Sequence, residues 1–333
     1  MTSATTARKS GDTKAIMAEY GQKYGILMAL VLICVILSVA NEFFLTGRNL
    51  VNVLRQASIN GVLAIGMTFV ILTRGIDLSV GSVVALAGVV SASFATSSTT
   101  AAIAGAPYPA IIAMIVGVTV GIAAGWINGW FVARQKVPAF VVTLGMLSAA
   151  RGLTLIYTGG RPVPALTDGY RAIGTADLLG IPMPVILFAI VFAASFFVLN
   201  ATRFGRRVYA AGGNPHAARV SGINVDRVKI TVYVISGGLA GLAGMILAAR
   251  TGSALPQAGI AYELDAIAAV VIGGTSLAGG VGRVSGTVIG ALLIAVVNNG
   301  LDLMGVESYY QQVIKGGLIV AAVMLDQARH KTA

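Results

Sequence analysis

Apolar and polar positions along the 333-residue chain fall into long blocks, not into the alternation of strands or the narrow stripe of soluble helices. A bilayer-spanning helix needs about 20 mostly apolar residues, and charge-free runs of nearly that length recur. Residues 24–41 give one span and 56–73 a second. Residues 78–133 carry no charge and are long enough for two spans, with the break in a Ser/Thr stretch and the Pro107-Tyr108-Pro109 turn. A fifth span starts after Pro138 and passes through Arg151, and a sixth covers 183–200. After a hydrophilic stretch at 201–229 come four more, at 230–249, 263–280, 284–301 and 308–325. The last three are short, rich in Gly and interrupted by Glu263, Asp265, Arg283, Asp302 and Lys315. That pattern predicts a re-entrant or broken helix among them.

The pattern therefore predicts an all-α polytopic membrane protein with about ten transmembrane helices. Residues 1–23 form a polar tail, 24–326 the transmembrane domain with 201–229 as its main loop, and 327–333 a second tail. The apolar run after the first tail exceeds the ~7–15 residues of a signal-peptide core, so it reads as a retained span. Composition agrees. Apolar residues make up 56 % and charged residues 11 %, against about 25 % charged in soluble domains. Too few charges remain to solvate a globule of this size, which excludes a soluble globular enzyme.

The formal charge of +11 has two readings, a nucleic-acid partner or the positive-inside bias of membrane proteins. Basic residues spread through loops between apolar runs favour the second, with no nucleic acid involved. With ten spans and the N-terminus inside, the inner segments hold 16 of the 23 basic residues, Arg134, Lys136, Arg203 and Arg219 among them. An odd count would place the basic C-terminus outside. A faint internal repeat is also visible. Asp77 opens span three and Asp265 opens span eight, each ahead of a small-residue helix, and Gly117/Gly121/Gly125 in span four match Gly286/Gly290 in span nine. Five spans separate the sets, so the halves would have inverted topology with some broken helices.

Catalytic motifs are missing. No Gly-Lys dipeptide occurs, so there is no phosphate-binding P-loop, and no HExxH, GxSxG or paired-Cys motif occurs. No catalytic residue, metal ligand set or cofactor is predicted. Polar residues at or inside the spans are Gln56, Asn60, Asp77, Arg151, Glu263, Asp265, Asn298, Asn299 and Asp302. Such groups are costly in hydrocarbon unless paired or facing a cavity. Together they suggest a pathway for a hydrophilic solute; singly, each fits a helix end or a packing hydrogen bond. Gly237-Gly238, Gly273-Gly274 and Gly279-Gly280 read as close packing or helix breaks more than as anion cradles.

The stretch 201–229 carries six basic residues and one acid, Asp226. Inside it sits a punctuated short helix: Asn214 as N-cap, Pro215 at the first position and Gly222 as the stop. Two turns are not stable alone in water, so the helix needs a surface to dock on. The alternative is a solvated positive-inside loop.

Gly212-Gly213-Asn214-Pro215-His216-Ala217-Ala218-Arg219-Val220-Ser221-Gly222, within 205–224, resembles the coupling loop of the ribose/xylose/arabinose class of sugar ABC-importer permeases. Leu72-Thr73-Arg74-Gly75-Ile76-Asp77-Leu78-Ser79-Val80-Gly81 and Tyr262-Glu263-Leu264-Asp265-Ala266 onward to Gly279-Gly280 match it too, as do Asn298-Asn299-Gly300 and Ser308-Tyr309-Tyr310-Gln311. The likeness runs from about residue 24 onward. It departs at Arg74, where a small residue is usual. The resemblance implies a homodimer in the bacterial inner membrane, in contact with lipid, with a separate ABC ATPase subunit that binds ATP and Mg. A periplasmic sugar-binding protein would deliver the solute. The coupling helix would be 214–222, with Gly213, Asn214, Ala217, Ala218 and Gly222 at the ATPase. Gln56, Asn60, Asp77, Ser79, Asp265 and Asn299 are the pathway candidates. Arg48, Arg161 and Arg171 would contact the binding protein. An ion-coupled secondary transporter is the rival class.

Overall fold

A computed structural model describes residues 25–98 and 106–331; the predicted tail at 1–23 lies outside the described residues. Thirteen helices and one two-stranded hairpin form among them. They are α1 (Gly25–Ala40), α2 (Gly47–Leu72), α3 (Val80–Phe94), α4 (Ala110–Ala133), α5 (Ala139–Thr158), α6 (Asp168–Thr175), α7 (Met183–Ala201), α8 (Arg203–Gly213), α9 (Pro215–Val220), α10 (Val225–Thr251), α11 (Tyr262–Ile272), α12 (Val284–Leu303) and α13 (Ser308–Lys331). The hairpin, β1 (Asp177–Leu178) with β2 (Ile181–Pro182), sits between α6 and α7.

Six helices are long and apolar enough to cross a membrane: α2, α4, α5, α7, α10 and α12. Helices α1 and α3 are apolar but shorter. The expected span at 263–280 does not form as one helix. Helix α11 stops at Ile272, and Gly274, Gly279 and Gly280 follow at φ 85°, 79° and 75°. That left-handed backbone is open to glycine and ends a helix. Helix α13 runs on to Lys331, into the expected C-terminal tail at 327–333. Proline sets several starts: Pro138 precedes α5 and Pro182 precedes α7.

Helix α2 is the central element, with 83 % of its most apolar window buried, against 17 % for α5 and for α7. The peripheral helices turn Phe140, Val141, Leu144, Phe196 and Phe197 outward. A helix apolar on all sides suits a lipid contact. Lipid supplies little hydrophobic drive between helices, so close backbone approach must hold them together. Helices α4 and α10 meet this way, with Gly117, Gly121, Gly125 and Gly129 of α4 against α10. A Cβ added at Gly121 would lie 2.1 Å from the Gly237 carbonyl oxygen.

The packing partners also repeat. Helix α3 packs on α4, α5 and α10, whereas α11 packs on α12, α13 and α2. Helix α4 pairs with α10, and α12 pairs with α2.

Candidate functional site

The six pathway candidates do not form one site. Asp77 and Ser79 come together in the turn between α2 and α3. Asp77 is 1 % exposed. Its Oδ1 accepts from the Ser79 amide at 3.1 Å and the Ser79 hydroxyl at 2.6 Å, and its Oδ2 from the Ser236 hydroxyl of α10 at 3.1 Å. Asn128 of α4 donates to Ser79 Oγ at 2.9 Å and to Asp77 Oδ1 at 3.5 Å. The carboxyl therefore joins three helices. Ser79 is the N-cap residue of α3 but makes no side-chain cap; Asp77 takes up its amide instead.

Asp265 occupies the first turn of α11. It accepts from Lys315 of α13 at 3.0 Å and from Asn298 of α12 at 3.3 Å. Each buried carboxyl thus takes an amide from the helix that follows its own, Asn128 in one case and Asn298 in the other. Both amides leave a buried Oδ1 without a partner among the described residues. Asn299 and Asn49 exchange hydrogen bonds at 2.9 and 2.8 Å, and Asn49 also donates to the Phe44 carbonyl at 2.9 Å. The side chains of Asp265 and Asn299 are thus engaged in packing.

Gln56 and Asn60 differ. They follow Asn52 at four-residue steps along one face of α2, where i and i+4 side chains are neighbours. Asn52 accepts from Arg250 of α10 at 2.8 Å. Neither Gln56 nor Asn60 has a side-chain hydrogen bond among the described residues, although Asn60 is only 4 % exposed. A cavity of about 230 Å³ lies between α3, α10 and the 252–261 segment. Val84, Gly88, Gly244, Leu247 and Tyr262 help to line it, and none of the six pathway candidates does. Its lining is mostly apolar, which does not suit a hydroxyl-rich solute.

The other candidate surface is α8–α9. Helix α8 is amphipathic and was not visible as a separate element in the charged stretch. Its Val208 and Ala211 are buried, whereas Arg203, Arg206 and Arg207 are exposed. Tyr209, burial pushing its phenol up and Arg283 acting the other way, donates to the Gly282 carbonyl at 3.0 Å. Helix α9 follows the predicted punctuation. The Asn214 side chain accepts from the His216 and Ala217 amides at 3.1 and 3.0 Å, Pro215 opens the helix, and Gly222 follows at φ 81°. Asp226 then ties the loop down by accepting from Arg219 at 3.2 Å and Lys136 at 2.7 Å.

Of the five coupling candidates, Gly213, Asn214, Ala217 and Gly222 are exposed. Ala218 is not. It is 4 % exposed and packs in a cluster with Val208, Val225 and Val228, because position four of α9 faces the body of the protein. Val220, overlooked in the sequence, is 79 % exposed on this surface. At the opposite end, Arg48, Arg161 and Arg171 are all exposed, and Arg171 lies 3.8 Å from Asp168. Among the described residues no cluster of His, Cys, Asp and Glu could hold a metal ion.

Comparison with known proteins places this geometry. A family model described as branched-chain amino acid transport system / permease component matches residues 49–323. The chain is 47 % identical, over 99 % of its length and all of the relative's, to the ribose import permease protein RbsC of Escherichia coli (strain K12). It is 48 % identical to the protein of the same name from Bacillus subtilis (strain 168), covering 92 % of this chain and 94 % of that one. The D-allose transport system permease protein AlsC of Escherichia coli (strain K12) is 42 % identical, with 93 % of each covered. No solved structure matches. A buried helical core edged by lipid-facing helices, with a punctuated loop helix at one end, is thus carried by a chain that belongs to the family of transport-system permease components.

Proposed function

We propose that this chain is the transmembrane permease subunit of an ATP-driven importer for ribose or a related simple sugar. The observation that carries it is α9, a capped six-residue helix pinned to the protein body on one face and bare on the other. Near-full-length identity to ribose import permeases supports the same choice, and the relatives narrow the solute class where the family description names amino acids. ATP and Mg bind to a separate ABC ATPase, since this chain has no P-loop. That ATPase docks on Gly213, Asn214, Ala217, Val220 and Gly222. A binding protein docks at the opposite end near Arg48, Arg161 and Arg171.

The chain makes ten crossings, with α11 and the non-helical 273–283 segment together completing the eighth. The halves are an inverted repeat: α2–α5 correspond to α10–α13, which the exchanged packing partners and the two acid–amide pairs support. Both termini and α9 face the cytoplasm. The end bearing α9 carries Arg74, Arg134, Lys136, Arg203, Arg206, Arg207, Arg219 and Arg283, consistent with the positive-inside rule. Two copies pack through α5, where a Cβ added at Gly145 or Gly152 would meet nothing within 4 Å among the described residues and Ser148 and Ala149 are exposed.

Transport proceeds by alternating access. ATPase closure pushes two α9 helices together, the helices above them rock, and the sugar passes inward. Gln56 and Asn60, whose side chains have no hydrogen bond among the described residues, supply donors and acceptors to match hydroxyls. Asp77, Ser79, Asp265 and Asn299 hold the helices around that path. The test is co-purification of the ATPase with the native chain and with Val220→Glu. Loss of the ATPase from Val220→Glu, with the permease still folded, is the expected result. An ATPase retained at native stoichiometry refutes docking on α9.

A further inference from the structure

At the α9 end, three segments meet through their backbones. The Leu72 carbonyl at the end of α2 accepts from the Gly280 amide at 2.9 Å. A Cβ added at Gly212 of α8 would fall 1.7 Å from that same carbonyl oxygen and 2.7 Å from the Gly280 nitrogen. Gly280 in turn lies against the Gly213 backbone. No side chain fits between these segments; Tyr209 of α8 reaches the Gly282 carbonyl beside them, and a second side chain ties them from outside.

That side chain is Arg74. It donates from Nε to the Gly212 carbonyl at 2.5 Å and from Nη2 to the Gly213 carbonyl at 2.6 Å. These are the last two carbonyls of α8, at the negative end of its dipole, where a cation is favoured. They immediately precede Asn214, the cap of α9. The stem of Arg74 runs beside Gly279. Its backbone has φ 63°, a region that a non-glycine residue adopts only at a cost. Three residues further on lies Asp77, which joins α3, α4 and α10. Arg74 therefore holds the start of the α9 loop with its side chain, while its own amide bonds back to the Ile71 carbonyl of α2 and its backbone runs on into the Asp77 turn.

We propose that Arg74 is a positioning residue that carries movement of α9 to the Asp77 turn and so to α3. The proposal takes the importer function above as its frame. The planar guanidinium supplies two parallel donors from one rigid group, which a lysine cannot reproduce. The body of the loop has a second anchor, Asp226 with Arg219 and Lys136, so losing Arg74 frees the start of the loop without detaching it.

The test compares native chain, Arg74→Asn and Arg74→Lys. Asparagine tolerates a left-handed backbone but cannot reach the two carbonyls. In proteoliposomes holding the full complex, with ribose as the probe, Arg74→Asn should transport about tenfold less sugar per ATP hydrolysed, the scale of a residue on a coupling route. Its KM for the sugar-loaded binding protein should be unchanged, and Arg74→Lys should be intermediate. A native sugar-to-ATP ratio in Arg74→Asn overturns the proposal. Amide exchange on the permease alone separates this from failure of the importer function. Arg74→Asn should speed exchange about tenfold over both 75–80 and 213–222. Unchanged exchange overturns the tether, whatever the protein transports. Faster exchange in a complex that moves no sugar leaves the tether standing and removes the importer function.

Discussion

Gly237 and Gly238 are adjacent on α10, share its helical backbone, and differ in what a methyl group would meet. At Gly237 an added Cβ lies 2.2 Å from the Gly121 carbonyl oxygen and 2.9 Å from the Gly125 backbone. At Gly238 the nearest atom is 3.2 Å away, on the flexible side chain of Ile122. Ordinary contact starts near 3.4 Å, so Gly237→Ala must move α4 and α10 apart by about 1.2 Å, and backbone cannot give way as a side chain can. Overpacking of this kind costs about 1–3 kcal/mol, and more where a whole seam must open. Each Gly→Ala change gains up to about 1 kcal/mol from helix propensity. Gly237→Ala should therefore lose about 2 kcal/mol net, and Gly238→Ala should be neutral or slightly stabilising. Thermal unfolding in detergent, followed through Trp126 and Trp130 on α4, reads this as a Tm drop of a few degrees for one variant and not the other. Equal shifts for the two would refute the glycine seam as the basis of α4–α10 packing.

Two further perturbations address the buried polar groups. Lys315→Met should destabilise by about 3–5 kcal/mol, because Asp265 is left as an uncompensated buried carboxylate. Adding Asp265→Asn should restore most of that loss in the same melting assay, and failure to do so would mean the pair is not coupled. Asp77→Ala should cost about 3 kcal/mol by stranding the Ser236 hydroxyl and both the amide and the hydroxyl of Ser79. Ser236→Ala, which removes one bond of several, should cost about 1 kcal/mol; equal losses would show that Asp77 does not organise the cluster.

Much of the fold was legible because spans are coded by length and apolarity alone. Helices α5, α7 and α12 fall close to the predicted runs for that reason. In 263–280 the glycines marked a broken helix among the last three spans without saying which, because hydropathy counts apolar side chains and is blind to backbone: Gly274, Gly279 and Gly280 adopt positive φ, and the helix ends before them. Helix α8 hid in a charged stretch, although Val208 and Ala211 are placed to bury one face. The α9 caps were legible since capping is local. The direction of Ala218 was not, because it depends on how α9 sits against Val208, Val225 and Val228. Asn128 and Ser236 carried no signal, being neutral residues inside apolar runs. Asp265 and Asn299 stood out as polar, yet only three-dimensional pairing reveals that Lys315, Asn298 and Asn49 engage them.

The most direct measurement is sugar uptake into proteoliposomes containing the permease and its ABC ATPase, with ribose-loaded binding protein outside and ATP inside. Uptake should require all three proteins and ATP, and should fall to background with Val220→Glu while the permease itself melts at its native temperature. Uptake by the permease alone under an ion gradient, with no need for the ATPase, would contradict the importer function and make this chain a secondary transporter.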